Sequence, residues 1–133
     1  IVWLEISDRA NYSYDDEGMF LTNSAYFISG ENLKYLLAVL NSKLSDFYFF
    51  KISPQIAGGR KRYTKQYVEK IPIPQISVEL QIPFEKIVDQ IFTTKKNDTQ
   101  SDTTSLESQI DKLVYELYEL TEEEISIVEE SVG

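Results

Sequence analysis

The chain has 133 residues, 42% hydrophobic and 26% charged, with a formal charge of −9; these are the proportions of a globular protein able to bury a core of its own. It contains neither cysteine nor histidine, which excludes disulfides, thiolate zinc sites, a cysteine nucleophile, a Ser-His-Asp triad and any histidine-ligated metal within it. No apolar run reaches the ~18 residues that cross a bilayer, so a cytoplasmic protein without a membrane partner is expected.

The opening Ile1-Val2-Trp3 carries neither an initiator Met nor a signal-peptide pattern, and reads as the interior of a longer polypeptide. Residues 1–6 form a short apolar run that predicts a buried strand. Residues 11–18 (NYSYDDEG) are turn chemistry with aromatics in it. Residues 19–21 and 25–28, rich in Phe, Tyr and Ile, predict two more strands of a small antiparallel sheet. From Glu31 the period changes. Leu33, Leu36, Leu37, Leu40, Leu44 and Phe47 fall on one helical face. Asn41-Ser42 can bend or break this helix, with Ser42 capping a second one. The aromatics at 47–50 crowd more than one stripe, so this helix is expected to be covered on several sides.

Residues 53–66 (SPQIAGGRKRYTKQ) read as a long exposed loop, and residues 67–73 as an edge strand ended by Pro72 and Pro74. Phe84, Ile87, Val88, Ile91 and Phe92 predict a helix. It starts either near Ser77 or at Pro83, which suits a first turn. Residues 93–103 read as a polar link. Leu106, Ile110, Leu113, Val114 and Leu117 predict the next helix, able to pair antiparallel with the previous one. Thr121 with Glu124 is a capping box, with Leu120 and Ile125 placed as a staple, so a last helix starts at Glu122.

The charge is divided unevenly. Residues 1–100 carry 12 basic and 12 acidic side chains, whereas residues 101–133 carry one Lys and ten acids. Within the neutral part, Lys51, Arg60, Lys61, Arg62, Lys65 and Lys70 face Glu69 alone over residues 51–70. A polyanion contact mid-chain and a solvated or partner-facing acidic end follow from that asymmetry. No phosphate-binding glycine motif is present: Gly58-Gly59 lacks the spacing of either common type. Asp15-Asp16-Glu17 reads as a solvated turn. The basic cluster is therefore the candidate site. Arginine forks match phosphate and the O6/N7 edge of guanine, lysines supply point charges, and the neighbouring tyrosines suit sugar, phosphate or base contact. An ordinary solvated basic loop, or one docking on an acidic protein, is the competing interpretation.

The order of motifs resembles a known family. Asn23-Ser24-Ala25-Tyr26-Phe27-Ile28, the phrase YLLAVLNSKLSDFYF, the basic segment and then KIPIP resemble the TaqI-like C-terminal specificity domain. That domain occurs in adenine-specific DNA methyltransferases and in type II restriction enzymes that fuse methylase and nuclease. The ending, with IDKLVYELY and LTEEEI, is also similar to the close of these proteins, where a Gly usually stands in place of Glu119. The resemblance implies a target-recognition domain that chooses a double-stranded DNA sequence. It places catalysis and the cofactor S-adenosylmethionine in an N-terminal methyltransferase domain of the same polypeptide, since neither an Asn-Pro-Pro-Tyr motif nor a nuclease motif is present here.

Together these readings predict an α+β fold: a small, mostly antiparallel sheet with a packed helix pair over 1–76, then a C-terminal helical hairpin over 77–133. The chain itself is expected not to be an enzyme. DNA contact is expected at Lys51, Gln55, Gly58, Gly59, Arg60, Lys61, Arg62, Tyr63, Lys65 and Tyr67, with Gln55 and the arginines as base readers. Residues 11–23 are the fallback surface. The alternative is a protein-interaction module whose basic loop binds an acidic protein.

Overall fold

The computed structural model describes residues 1–18 and 25–132; the strand predicted over 19–21 lies outside them. The predicted first strand is two strands. β1 (Val2–Leu4) pairs antiparallel with β3 (Ala25–Phe27), setting Trp3 opposite Tyr26. After Glu5 the chain changes sheet, and β2 (Ile6–Ser7) pairs with residues more than fifty positions away.

α1 (Leu33–Leu40) and α2 (Lys43–Ile52) are separate helices broken at Asn41-Ser42. Ser42 caps α2: its Oγ accepts from the Ser45 amide at 3.2 Å. A second free amide of that terminus, on Lys43, donates to Asp111 Oδ1 at 2.9 Å. The aromatics of α2 are divided as their crowding requires. Phe49 is buried, Phe47 and Tyr48 are half-buried, and Phe50 is exposed.

Residues 53–66 are not a loop. β4 (Gln55–Ile56), a tight turn over residues 57–59 and β5 (Arg60–Arg62) form a hairpin, and β5 is the middle strand of a three-stranded antiparallel sheet between β2 and β4. The sequence lacks the alternation that marks such strands because two of the three β5 side chains are exposed cations. Gly58 and Gly59 both take left-handed backbone (φ +81° and +72°) that close the turn and that other residues adopt at a cost. The predicted edge strand at 67–73 is also replaced. α3 (Lys65–Val68) occupies its start, followed by turns through Ile71.

α4 (Val78–Asn97) begins at Ser77, whose Oγ accepts from Leu80 N, and runs through Pro83. It takes in residues 93–97, part of the predicted link. α5 (Thr104–Leu117) and α6 (Glu122–Val132) follow. The capping box forms on both sides: Thr121 N donates to Glu124 Oε2 at 2.8 Å, and Glu124 N to Thr121 Oγ1 at 3.2 Å. Small antiparallel sheets plus these helices make an α+β fold.

One apolar core runs from Ile1 to Val114 and includes Trp3, Leu37, Val39, Phe49, Tyr63, Phe84 and Val88. α4 packs on α1, with Tyr35 edge-on to Phe84 at 5.2 Å, while α6 packs on α2. Tyr35 and Tyr118 donate to the carbonyls of Pro74 and Pro72, tying α1 and the end of α5 to this non-helical segment. Burial pushes the Tyr118 hydroxyl up to about 12. Among the described residues, no helix is long and apolar enough to cross a membrane.

Candidate functional site

The basic residues sit on a hairpin with two distinct faces. On a strand, neighbouring side chains point to opposite faces, and directly paired residues share one. Arg60 and Arg62 therefore project from one face of β5, beside Ile56 and Ile6. Both are exposed. Arg60 Nε reaches its own turn at Ala57 O (3.4 Å), and Arg62 lies 3.9 Å from Glu5. In such exposed positions these contacts hold weakly, leaving the guanidinium forks available.

Lys61 and Tyr63, expected at the surface, point inward. Lys61 is 7% exposed, with Nζ 3.5 Å from Asp46 Oδ1, 3.3 Å from the carbonyl of Asp8 and over the Phe50 ring at 5.4 Å. Tyr63 is 2% exposed, and its ring stacks on Phe49 with centroids 4.2 Å apart. Its hydroxyl donates to Asp46 Oδ1 at 2.9 Å, and its carbonyl accepts from Trp3 Nε1 at 2.8 Å. Burial first, and the Asp46 charge second, push that hydroxyl well above the ordinary tyrosine range, so it stays a donor.

Asp46 is the residue that sequence reasoning missed. Its carboxylate, buried on α2, accepts from Tyr63 of the strand end and from the amide of Ala10 (3.3 Å), and it balances Lys61. One side chain thus fixes α2, β5 and the segment after β2 relative to each other. Its signal was present: a lone acid inside LSDFYFF needs a buried partner, because an unpaired buried charge is prohibitively costly.

The other expected residues are dispersed around this junction. Gln55 is exposed and pairs with Lys61 across β4–β5, so it sits on the face opposite the two arginines. Lys65 is exposed at the start of α3, and Tyr67 is half-buried in α3 with Lys70 over its ring at 5.6 Å. Lys51 is exposed in the last turn of α2, its ammonium 5.2 Å from the Phe47 ring and 5.9 Å from that of Phe50. Gly58 and Gly59 form the turn itself; a Cβ at Gly59 would meet open space, and one at Gly58 would touch Arg60 Nε at 3.9 Å.

A surface of exposed cations on a rigid hairpin, with its inner face locked by a carboxylate, is the setting in which known relatives bear on this chain. The sequence model of the TaqI-like C-terminal specificity domain matches residues 1–73, from β1 through α3 and its following turn. The chain belongs to this family. Two relatives are type II methyltransferases. M.BstVI of Geobacillus stearothermophilus is 26% identical over 129 residues, covering 93% of this chain and 21% of that protein. M.BanIII of Aneurinibacillus aneurinilyticus is 23% identical over 120 residues, covering 85% and 20%. The chain spans about a fifth of the length of these relatives. As a TaqI-like domain it is a C-terminal specificity domain, and both of these relatives are type II methyltransferases. The family match holds the whole Asp46 junction with the hairpin and stops short of α4.

Proposed function

We propose that this TaqI-like domain selects the double-stranded DNA sequence on which an adenine-specific methyltransferase region of the same polypeptide acts. The observation that carries the reading is the Arg60–Arg62 pair, held outward on one face of β5 while Lys61 and Tyr63 anchor the other. Arginine forks bond bidentately to guanine O6/N7, and a β-ribbon fits the major groove. Gln55, on the opposite face, has the donor and acceptor that match adenine. Lys65 and Lys51 suit phosphates. Methyl transfer from S-adenosylmethionine belongs, on this reading, to the N-terminal methyltransferase region, and a fused endonuclease would use the same recognition.

The test is methylation of a library of randomised sites by the parent protein. Replacing whichever of Arg60, Arg62 or Gln55 reads a base should cost roughly 1–3 kcal/mol and relax the choice at that base pair. Lys65→Ala should weaken all sequences alike. Recognition lies elsewhere if all four variants retain wild-type affinity and site preference. A receptor for an acidic protein would bind duplex DNA without a preferred sequence.

A further inference from the structure

Beneath the hairpin, a cavity of about 260 Å³ opens where β2, α2, the hairpin turn and the end of α6 meet. Arg9, Lys51 and Lys61 line it, against Asp8 and Asp46, with Phe47 and Phe50 as apolar wall. The charges are not equivalent. Lys61 is balanced by Asp46 at 3.5 Å, and Asp46 is further occupied by Tyr63 and the Ala10 amide. Among the described residues neither Arg9 nor Lys51 has a carboxylate within ion-pair distance. With Asp8 also in the lining, three cations face two carboxylates and the cavity keeps one net positive charge, shared by Arg9 and Lys51, which reach it from different elements.

Both cations are exposed side chains on anchored backbone. Arg9 follows β2, and its backbone is pinned on either side. Its own amide donates to Ser7 Oγ at 3.4 Å, Ser7 pairs with Lys61, and the next amide binds Asp46. Lys51 lies over the rings of Phe47 and Phe50. Apolar walls beside these cations strengthen their field and attract an anion.

We propose that this cavity anchors one backbone phosphate of the DNA, gripped jointly by the Arg9 fork and the Lys51 ammonium. The proposal rests on the DNA reading above and adds to it a residue outside the basic cluster, Arg9. The placement suits a ribbon in a groove. Arg60 and Arg62 occupy one face of the three strands, and Lys61, which lines the cavity, belongs to the other. A hairpin in the major groove has a phosphate backbone on either side. The arginine pair would address the base edges or one backbone, while the cavity takes a phosphate of the other. A phosphate there fixes register and carries no sequence information.

The experiment measures binding of two unrelated 20-base-pair duplexes to the 133-residue chain across a salt series beginning at 10 mM. The proteins are wild type, Arg9→Ala, Arg9→Lys, Lys51→Ala, the Arg9→Ala/Lys51→Ala double variant, Arg60→Ala, Arg9→Ala/Arg60→Ala, and Arg60→Ala/Arg62→Ala. The Arg9→Ala/Lys51→Ala variant should lower the slope of log K against log salt by about 0.9, one phosphate's worth, equally on both duplexes. The two single losses should be non-additive, because both side chains hold the same phosphate, whereas Arg9→Ala and Arg60→Ala should add. Arg9→Lys should keep the slope. A circular-dichroism melt of each variant confirms that the loss is not unfolding, and Lys51→Gln replaces Lys51→Ala if that variant melts early. If the Arg9/Lys51 variant keeps the wild-type slope while the Arg60/Arg62 variant loses it, the cavity is not a phosphate site and the DNA reading stands. If wild type itself binds neither duplex at 10 mM salt, both fail.

Discussion

Helix α2 carries two junctions built from the same three groups. On one side Asp46 holds Lys61 and the Tyr63 hydroxyl; on the other Glu129 of α6 holds Lys43 and the Tyr115 hydroxyl. The outer junction has the shorter contacts, with Lys43–Glu129 and Tyr115–Glu129 both at 2.6 Å against 3.5 Å for Lys61–Asp46. Distance nevertheless misleads about strength. The inner ion pair is about nine-tenths buried, and the outer pair is more than a third exposed. Water competes for the outer charges, whereas the loss of Asp46 leaves a buried lysine with only the Asp8 carbonyl and the Phe50 ring and no counter-charge in contact. Equal chemistry thus locks the hairpin and only fastens α6.

The largest expected effect tests that contrast directly. Asp46→Ala should cost about 3–5 kcal/mol, the range for breaking a buried pair, measured by urea unfolding. Lys61→Met with Asp46→Leu, which removes both charges, should recover much of it. If the single variant costs less than about 1 kcal/mol, the inner junction is no stronger than an exposed pair. Lys61 accordingly acts as a positioning residue for the hairpin.

A smaller effect concerns the link that carries α6. Glu119 has φ +56°, in the left-handed region, where α5 ends. Leu120 N donates back to Tyr115 O, and Glu119 N to Glu116 O. This pattern favours glycine at the left-handed position. Glu119→Gly should raise stability by about 0.5–1 kcal/mol, since a side chain with a Cβ is strained there. A lower melting temperature for this variant would show that the glutamate contributes more than its backbone costs.

The smallest effect is on the outer junction. Glu129→Gln should cost about 0.2–1 kcal/mol at neutral pH, and its pH dependence follows from the shifts. The hydrogen bond from Lys43, and then that from Tyr115, hold the Glu129 carboxyl below its ordinary 4.5. A depressed acid stabilises the fold fully above its unfolded value, and this contribution fades as pH falls through the folded one. The wild-type advantage over Glu129→Gln should therefore be constant from pH ~5 up to the lysine range, where Lys43, held above its ordinary value by the same bond, loses its proton, and should shrink below the ordinary glutamate range. Asp111 runs the other way, because burial raises its carboxyl above 3.8, so the difference between the two proteins is the quantity to follow. The protection factors of the α6 amides, with the intrinsic pH dependence of exchange divided out, should fall on acidification in wild type and change less in the variant. A gap that is independent of pH down to 3 would mean that the outer pair does not fasten α6.

Most of the helical part of the molecule, α3 and the end of α4 apart, was legible in the sequence because its signals are local. The apolar spacing of Leu33 to Phe47, the Ser42 cap and the Thr121–Glu124 box each act within one or two turns. The α+β class and the position of the basic cluster were legible for the same reason. Tertiary pairing decided the rest. Ile6 meets Arg62 and Ser7 meets Lys61, contacts that no window of twenty residues contains, and they turn an apparent loop into the middle strand of a sheet. The same pairing sets which basic side chain faces inward. In sequence, Arg60, Lys61 and Arg62 are three equivalent cations. Alternation along β5 sends the middle one to Asp46 and leaves its neighbours exposed. Arg9 carries no local signal at all, and reaches the cavity only because the strand before it is paired across the chain.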